Sequence, residues 1–413
     1  MTAFKSSTSG HTIHVGYSTN VHRAERLDDV LTFLDRATVP IRNRLGLDGR
    51  AMGLDLRIGS ALARELAGDP DKVDRLRERL AEHDLYVFGV NGFPLGDFQA
   101  DVVKRAVYRP DWREPGRRDD TLIMGRVLAR LLPPGIEGAV STVAGGYRPM
   151  SGDDRGTRDA MARALVDVAA AFADLHQETG RRIALAPEPE PDTTMDDCDS
   201  VLSFYREHVF PAASRLGPRG EDVVHRHLPV CLDACHLSVM FEDPGETIST
   251  LQAAGVRVGK SNISCCPAVP DPSGNEAGRR FLLALHEPRF LHQTMGRDRS
   301  GSIRLRLPDL DALAGVAPAE LEGIAEIRSH FHVPLHGAGG EGFTTTRNET
   351  ETFIQSLLGN SACEALAVET YTWHVLDQTP LGREAGSDLV AGLAEELRWT
   401  LERVQELGWR PEE

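Results

Sequence analysis

Short apolar runs alternate with longer amphipathic stretches along nearly the whole chain. Runs at 13–16, 53–58, 85–90, 138–143, 183–187, 228–232, 256–263 and 366–370 predict strands. Most are continuously apolar rather than alternating, the pattern of a parallel sheet covered by helices. The stretches between them predict helices with readable ends. Asp69 caps one that starts at Pro70 and carries Val73, Leu76 and Leu80 on one stripe. Met161, Leu165, Val168, Phe172 and Leu175 step by four and three residues until Gly180 stops the helix. A last helix follows Ser387 with Leu389, Leu393, Leu397, Leu401 and Val404, and ends near Gly408. Eight strand–helix units with right-handed crossovers predict a single α/β domain over 1–413, a (β/α)8 TIM barrel. Two further strand-like pieces, 290–294 and 328–335, leave the count open. Either one of them is a barrel strand, or both belong to an insertion late in the chain, with 267–326 as an insertion or lid.

Composition narrows the class. With 413 residues, 41% of them hydrophobic, the chain can bury a large core, and 26% charged residues is ordinary for a globular protein. The net charge of −16, with no Lys/Arg stripe interleaved with aromatics, argues against a nucleic-acid partner. The first ten residues are polar and form no signal segment, and no run reaches the roughly 18–20 apolar residues of a membrane span. Cys265 and Cys266 are adjacent and Cys231 and Cys235 lie close, but neither pair has zinc-ribbon spacing, so they read as buried thiols. A cytoplasmic protein is expected.

The active site of such a barrel lies at the C-terminal ends of its strands. The fifth run ends in Glu188-Pro189-Glu190-Pro191, the sixth in Asp233-Ala234-Cys235-His236, and the eighth in Glu369-Thr370-Tyr371. An extended His330-Phe331-His332 would put two imidazoles on one face, because side chains repeat every two residues. Carboxylates and neutral imidazoles together suit a divalent metal such as Mn, Mg, Co, Zn or Fe, and leave positions open for substrate oxygens. Each group alone has an ordinary reading as a cap, an ion-pair partner or a buried polar residue; their coincidence at separate strand ends favours a metal site. Supporting polar residues are Tyr17, Asn20, Asn91, Arg148, Lys260 and Asn262 as substrate contacts, and His292 as a further metal ligand. The segment Tyr108-Arg109-Pro110-Asp111-Trp112-Arg113 reads either as a lid contacting a substrate anion or as a surface ion-pair cluster.

With these residues the sequence resembles the xylose-isomerase-like barrels, the superfamily of sugar isomerases, sugar epimerases, inosose dehydratases and endonuclease IV. Glu188, Asp233, His236 and Glu369 carry the resemblance. More closely, it is similar to the EboE-type metabolite-traffic proteins of bacterial secondary-metabolite operons. The segments Tyr17–Asn20, Val90–Pro94, Val107–Arg113, Glu188–Pro191, Asp233–His236, Leu291–Gln293, His330–Pro334 and Val368–Trp373 match in order. The resemblance implies a Glu/Asp/His/Glu metal site whose carboxylates double as acid and base. One departure stands out: the histidine usual on the seventh strand is absent, and Asn262 lies there, so Asn262, His292 or His332 must complete the set. The choice between Glu188 and Glu190 is likewise open.

The leading expectation is a metal-dependent isomerase or epimerase of a polyhydroxylated carbonyl compound, a sugar or cyclitol, with Glu188, Glu369 and His236 as catalytic residues. The alternatives are a non-catalytic metabolite-binding protein on the same barrel and, behind it, a metal-dependent phosphodiesterase that His14 and His22 would serve.

Overall fold

The computed structural model describes all residues except 48, 338, 361–362, 377–380, 382–387 and 413. Each of the eight runs forms a parallel strand. A short β1 (Ala3–Ser6) precedes the barrel strands β2 (Thr12–Ser18), β3 (Met52–Arg57), β4 (Leu85–Asn91), β5 (Gly138–Val143), β6 (Ile183–Glu188), β7 (Val230–Asp233) and β8 (Val258–Ile263). The eighth barrel strand comes much later, at 365–368. Hydrogen-bonded neighbours run from β6 through β5, β4, β3 and β2 to that last strand, then to β8 and β7. β6 and β7 meet at the closing seam without a ladder between them. The result is a (β/α)8 barrel.

The gap before the last strand holds a second sheet. Its antiparallel strands are β9 (Pro267–Pro270), β10 (Thr294–Asp298), β11 (Ile303–Leu307), β12 (Ile324–Ser329), β13 (Gly339–Gly340) and β14 (Phe343–Thr345). The barrel resumes with β15 (Ala365–Val368), and β16 (Trp409–Pro411) pairs back onto β1. Neither ambiguous piece is a barrel strand. Residues 290–293 are irregular and β10 starts only at Thr294, while β12 ends at Ser329 before the two histidines. The second sheet therefore extends beyond 326, to Thr345.

Helix ends follow the local chemistry. Asp69 accepts from the Asp71 N–H at the start of the helix Pro70–Glu82, whose Val73, Leu76 and Leu80 are buried. Gly180, with φ of 69°, ends Arg155–Thr179 in the left-handed conformation that an L side chain resists. The last helix, Leu389–Glu406, is capped by Asp388, whose carboxylate accepts from Val390 N–H and Ala391 N–H. Ser387, read as preceding it, lies outside the described residues. Among the described residues no helix is long and apolar enough to cross a membrane, and all six cysteines are unpaired, five of them buried.

Candidate metal centre

The strand ends converge on one cavity of about 510 Å³, part of it open to solvent. Its floor is polar and comes from the barrel: Asn20, Asn91, Glu188, Glu190, His236 and Glu369, with His330 and His332 from the segment after β12. Its wall is apolar and aromatic, built by Phe93, Pro94, Phe98, Val107 and Tyr108 from the loop after β4, with Phe290, Leu291 and Tyr371. Phe98, Phe290 and Tyr371 form a ring cluster with centroids 4.8–5.1 Å apart. That loop is fastened to the second-sheet region. Val103 N–H and Lys104 N–H both donate to the Arg289 carbonyl, and Lys104 Nζ lies 2.7 Å from Asp309.

Register sets the carboxylates at one height. Asp233 pairs with Asn262 across β7 and β8, and Asn262 pairs with Ala367, two residues before Glu369. Asn262 Nδ2 donates to Glu188 Oε1 and to Glu369 Oε2, each at 2.9 Å. Glu369 Oε1 accepts from Asn20 Nδ2 at 2.7 Å and Asn91 Nδ2 at 2.9 Å. Asp233 Oδ1 accepts from the backbone N–H of Cys235 and His236 and from Ser264 Oγ, but Asp233 Oδ2 has no hydrogen-bond partner.

The three imidazoles are oriented through their other nitrogen. His236 Nδ1 donates to Pro189 O at 2.8 Å, and His332 Nδ1 to Glu369 O at 2.7 Å. His330 Nδ1 lies 2.9 Å from Gln293 Oε1. Gln293 Nε2 donates to Pro191 O and Tyr108 Oη, which fixes its oxygen toward the imidazole and the proton on His330 Nδ1. His236 Nε2 and His330 Nε2 face one another at 3.0 Å, and His332 Nε2 has no partner, 3.9 Å from Asp233 Oδ2. Anchored Nδ1–H groups that turn Nε2 to a common point are the outer layer that metal-binding histidines use.

Burial dominates the titration of these groups. It raises the Glu188 carboxyl, with His236 opposing, and raises Glu369 well above its ordinary value, with Glu188 and Asp233 adding repulsion. Glu190, which accepts from Tyr108 Oη at 2.7 Å, is pushed up to about 8 by burial despite that bond. Burial acts on Asp233 in the same direction, but His236, His332 and Ser264 outweigh it and hold that carboxyl below its ordinary value. His332 is pushed down to about 4, chiefly by burial.

Among the described residues, four sets of three side chains bring ligand atoms within 4.8 Å of one another: Glu188–Asp233–Glu369, Asp233–His236–His332, Glu190–His236–His330 and Cys235–His330–His332. Every metal-site residue read from the sequence falls in one of these sets except His292. Both its ring nitrogens are engaged, Nδ1 with His330 O and Nε2 with Glu287 Oε1, so it braces the His330 backbone instead. Its neighbour Gln293 is the one that faces the centre. Of the substrate contacts, Asn20 and Asn91 line the cavity and Asn262 bridges its carboxylates. Tyr17 does not line it, because its hydroxyl is held by Thr38 and His22. Arg148 pairs with Asp196 outside it. Lys260 lies fully buried one layer below Asn262, 2.6 Å from Asp55 and 3.0 Å from Ser141 Oγ. It faces the barrel interior and not the cavity. The 108–113 segment divides: Tyr108 reaches the centre, while Arg109 and Arg113 pair with Glu114 and Asp111. Sequence reasoning read Tyr108 only within a lid or ion-pair segment, gave Ser264 and Asp55 no role, and missed the aromatic wall; the residues concerned lie on loops or strand interiors without a distinguishing spacing.

No family model and no curated protein matches this chain. Among solved structures, a xylose isomerase-like TIM barrel protein from Mycobacterium smegmatis in complex with magnesium aligns at 13% identity and a TM-score of 0.52, covering 96% of this chain and 97% of that one. An L-ribulose 3-epimerase aligns at 14% and 0.48, covering 96% and 97%, and a D-psicose 3-epimerase in the presence of D-fructose at 11% and 0.49, covering 96% and 99%. At such identities likeness speaks for architecture alone: the chain has a (β/α)8 barrel fold, as the Mycobacterium smegmatis structure does.

Proposed function

We propose that the strand-end cavity is the active centre of a cytoplasmic, metal-dependent isomerase or epimerase acting on a polyhydroxylated carbonyl metabolite, a sugar or cyclitol. The observation that carries this reading is the pair of buried acceptors, Asp233 Oδ2 and His332 Nε2, left without partners beside Glu188 and Glu369. Buried polar atoms without partners are costly, and a divalent cation would satisfy both. Asp233, His236, His332, Glu188 and Glu369 are the residues within reach of it. When bound, the cation supplies Lewis-acid polarisation of a carbonyl oxygen, which acidifies the neighbouring C–H.

The rest is the work of this chain's side chains. Glu188, pushed up to about 7 by burial, and Glu369, raised well above its ordinary value by burial, are the carboxyls placed to exchange a proton with a substrate carbon. Asn20, Asn91 and Asn262 hold the Glu369 carboxylate by three N–H donors, and so fix the direction from which it can reach a substrate carbon. Glu190 keeps its proton at neutral pH and can return it through Oε2, which has no partner. The aromatic wall narrows the access of bulk water to the exchange without closing the cavity.

The test is deuterium wash-in from D₂O, followed by NMR, on ketoses, aldoses and inososes with metal-loaded protein. Exchange is expected at the carbon next to the carbonyl, slowed about 10²–10⁴-fold by Glu188→Gln. Tight binding of one of these compounds with no exchange would sink the isomerase reading. It would favour a binding protein, the second reading, which the resemblance to metabolite-traffic proteins and the Asn262 bridge between the two carboxylates support.

A further inference from the structure

The two ends of the candidate centre differ in what they lack. At the carboxylate end Glu188 and Glu369 are already bridged: the Asn262 amide donates to both, the second Glu369 oxygen takes two more N–H groups, and the atoms left without partners there are the amide oxygens of Asn20 and Asn262. A cation between those carboxylates would have to displace the Asn262 NH₂, whose two N–H dipoles already face both of them. At the imidazole end the reverse holds. His236, His330 and His332 each carry their proton on Nδ1, committed to Pro189 O, Gln293 Oε1 and Glu369 O. Their Nε2 atoms are therefore all lone-pair acceptors. Two of these lone pairs point at each other across 3.0 Å, and the third, with Asp233 Oδ2, has no donor. Acceptors facing acceptors repel unless something positive lies between them.

We infer that the metal of this protein sits at the imidazole end, on Asp233 Oδ2, His236 Nε2 and His332 Nε2, and that Glu188 and Glu369 stay free of it. The inference rests on the metal-dependent reading above and specifies where that metal goes. The donor spacing fits. Nitrogen and oxygen ligands about 2.0–2.1 Å from a tetrahedral Zn²⁺ are about 3.4 Å from one another; here Asp233 Oδ2 and His332 Nε2 are 3.9 Å apart, and ligand atoms of Asp233, His236 and His332 all lie within 4.8 Å of one another. A set rich in imidazole selects Zn²⁺, Co²⁺ or Fe²⁺ over Mg²⁺, which prefers oxygen. Asn262, in place of a histidine on β8, closes the carboxylate position; His332, arriving from outside the barrel, opens the other. Two carboxylates beside the metal rather than on it remain available as base and acid.

X-ray absorption at the zinc edge of the full-length, zinc-loaded wild type counts imidazole ligands without any substitution, and at least two are expected. In parallel, chelator-treated protein is titrated with Co²⁺ and followed by its visible d–d bands. Because loss of an outer partner costs about 10–100-fold in metal affinity, His332→Ala and His236→Ala, each losing a ligand, are expected to weaken binding by at least about 100-fold. Glu369→Gln is expected to weaken it by no more than about 10-fold. An oxygen-dominated shell with one imidazole or none, or abolition by Glu369→Gln with His332→Ala unaffected, overturns this placement and leaves the isomerase reading standing. Failure of the wild type to take up Zn²⁺, Co²⁺ or Mn²⁺ overturns both, and assigns the positive charge between His236 and His330 to a proton.

Discussion

Gly16 and Gly53 are register partners on β2 and β3, and each lacks the Cβ that the other's surroundings would not admit. A Cβ on Gly16 would meet Gly53 O at 2.0 Å and the Phe88 ring at 2.8 Å. Neither the backbone oxygen nor a ring packed into the core can move aside. Gly16→Ala is therefore expected to cost about 3 kcal/mol or more, the upper end for overpacking, in urea denaturation. A loss under about 1 kcal/mol would mean that the strands can spread there. At this scale the sequence was only partly legible. Residue type singled out Glu188, Asp233, His236 and Glu369, because charged groups at the ends of apolar runs stand out. It could not tell His292 from Gln293, since adjacent residues face opposite ways and the irregular backbone at 290–293 has no period to decide between them.

Among the elements, the last helix reaches the centre through one buried side chain. Glu396 accepts from Thr370 Oγ1 at 2.7 Å, Trp373 Nε1 at 2.9 Å and Leu335 N–H at 3.0 Å, so it ties the segment carrying Glu369 to the one carrying His332. Burial pushes its carboxyl up to about 7 although all three partners favour the charged form. The folded protein thus holds a proton that the unfolded chain releases near pH 4.5, and stability falls as pH rises from about 4.5 to 7. Against Glu396→Gln, which does not titrate, the wild type is expected to lose about 3 kcal/mol between pH 4 and pH 8 in denaturant melts, most of it before pH 7. A difference that stays flat with pH would show that the carboxylate enters the core already charged. Elements were also where sequence reading did best. All eight barrel strands were legible because both faces of each are buried, which leaves unbroken apolar runs. The second sheet was not: its strands have two to six residues, several with one face wet, as the alternating burial of Ile303–Leu307 shows. The two histidines on one side of 330–332 were anticipated from a strand that ends one residue earlier, at Ser329.

For the whole molecule, the centre joins parts of the chain that fold as separate layers. Asp233 and His236 belong to the barrel; His330 and His332 follow the second sheet. A cation held by both would act as a tie between them and stabilise only the assembled state. With free metal at 100 times its Kd, the expected gain is about 2.7 kcal/mol, read by calorimetry as a rise in Tm of a few degrees. Asp233→Asn combined with His332→Ala is expected to abolish the rise. An undiminished rise in that double variant would mean the stabilising ion binds elsewhere.

The barrel closes between β6 and β7 without a ladder, and the two strands that flank this seam end in Glu188 and Asp233. Everywhere else around the ring, backbone hydrogen bonds fix how far one strand sits above the next. Across the seam the ties are side-chain packing and side-chain-to-carbonyl hydrogen bonds, His227 Nδ1 to Ile183 O and His236 Nδ1 to Pro189 O. A small slide of one wall past the other costs least there, and it changes the separation of Glu188 from Asp233. The seam is therefore the one line around the ring along which Glu188 and Asp233 can shift against each other without breaking any strand pairing.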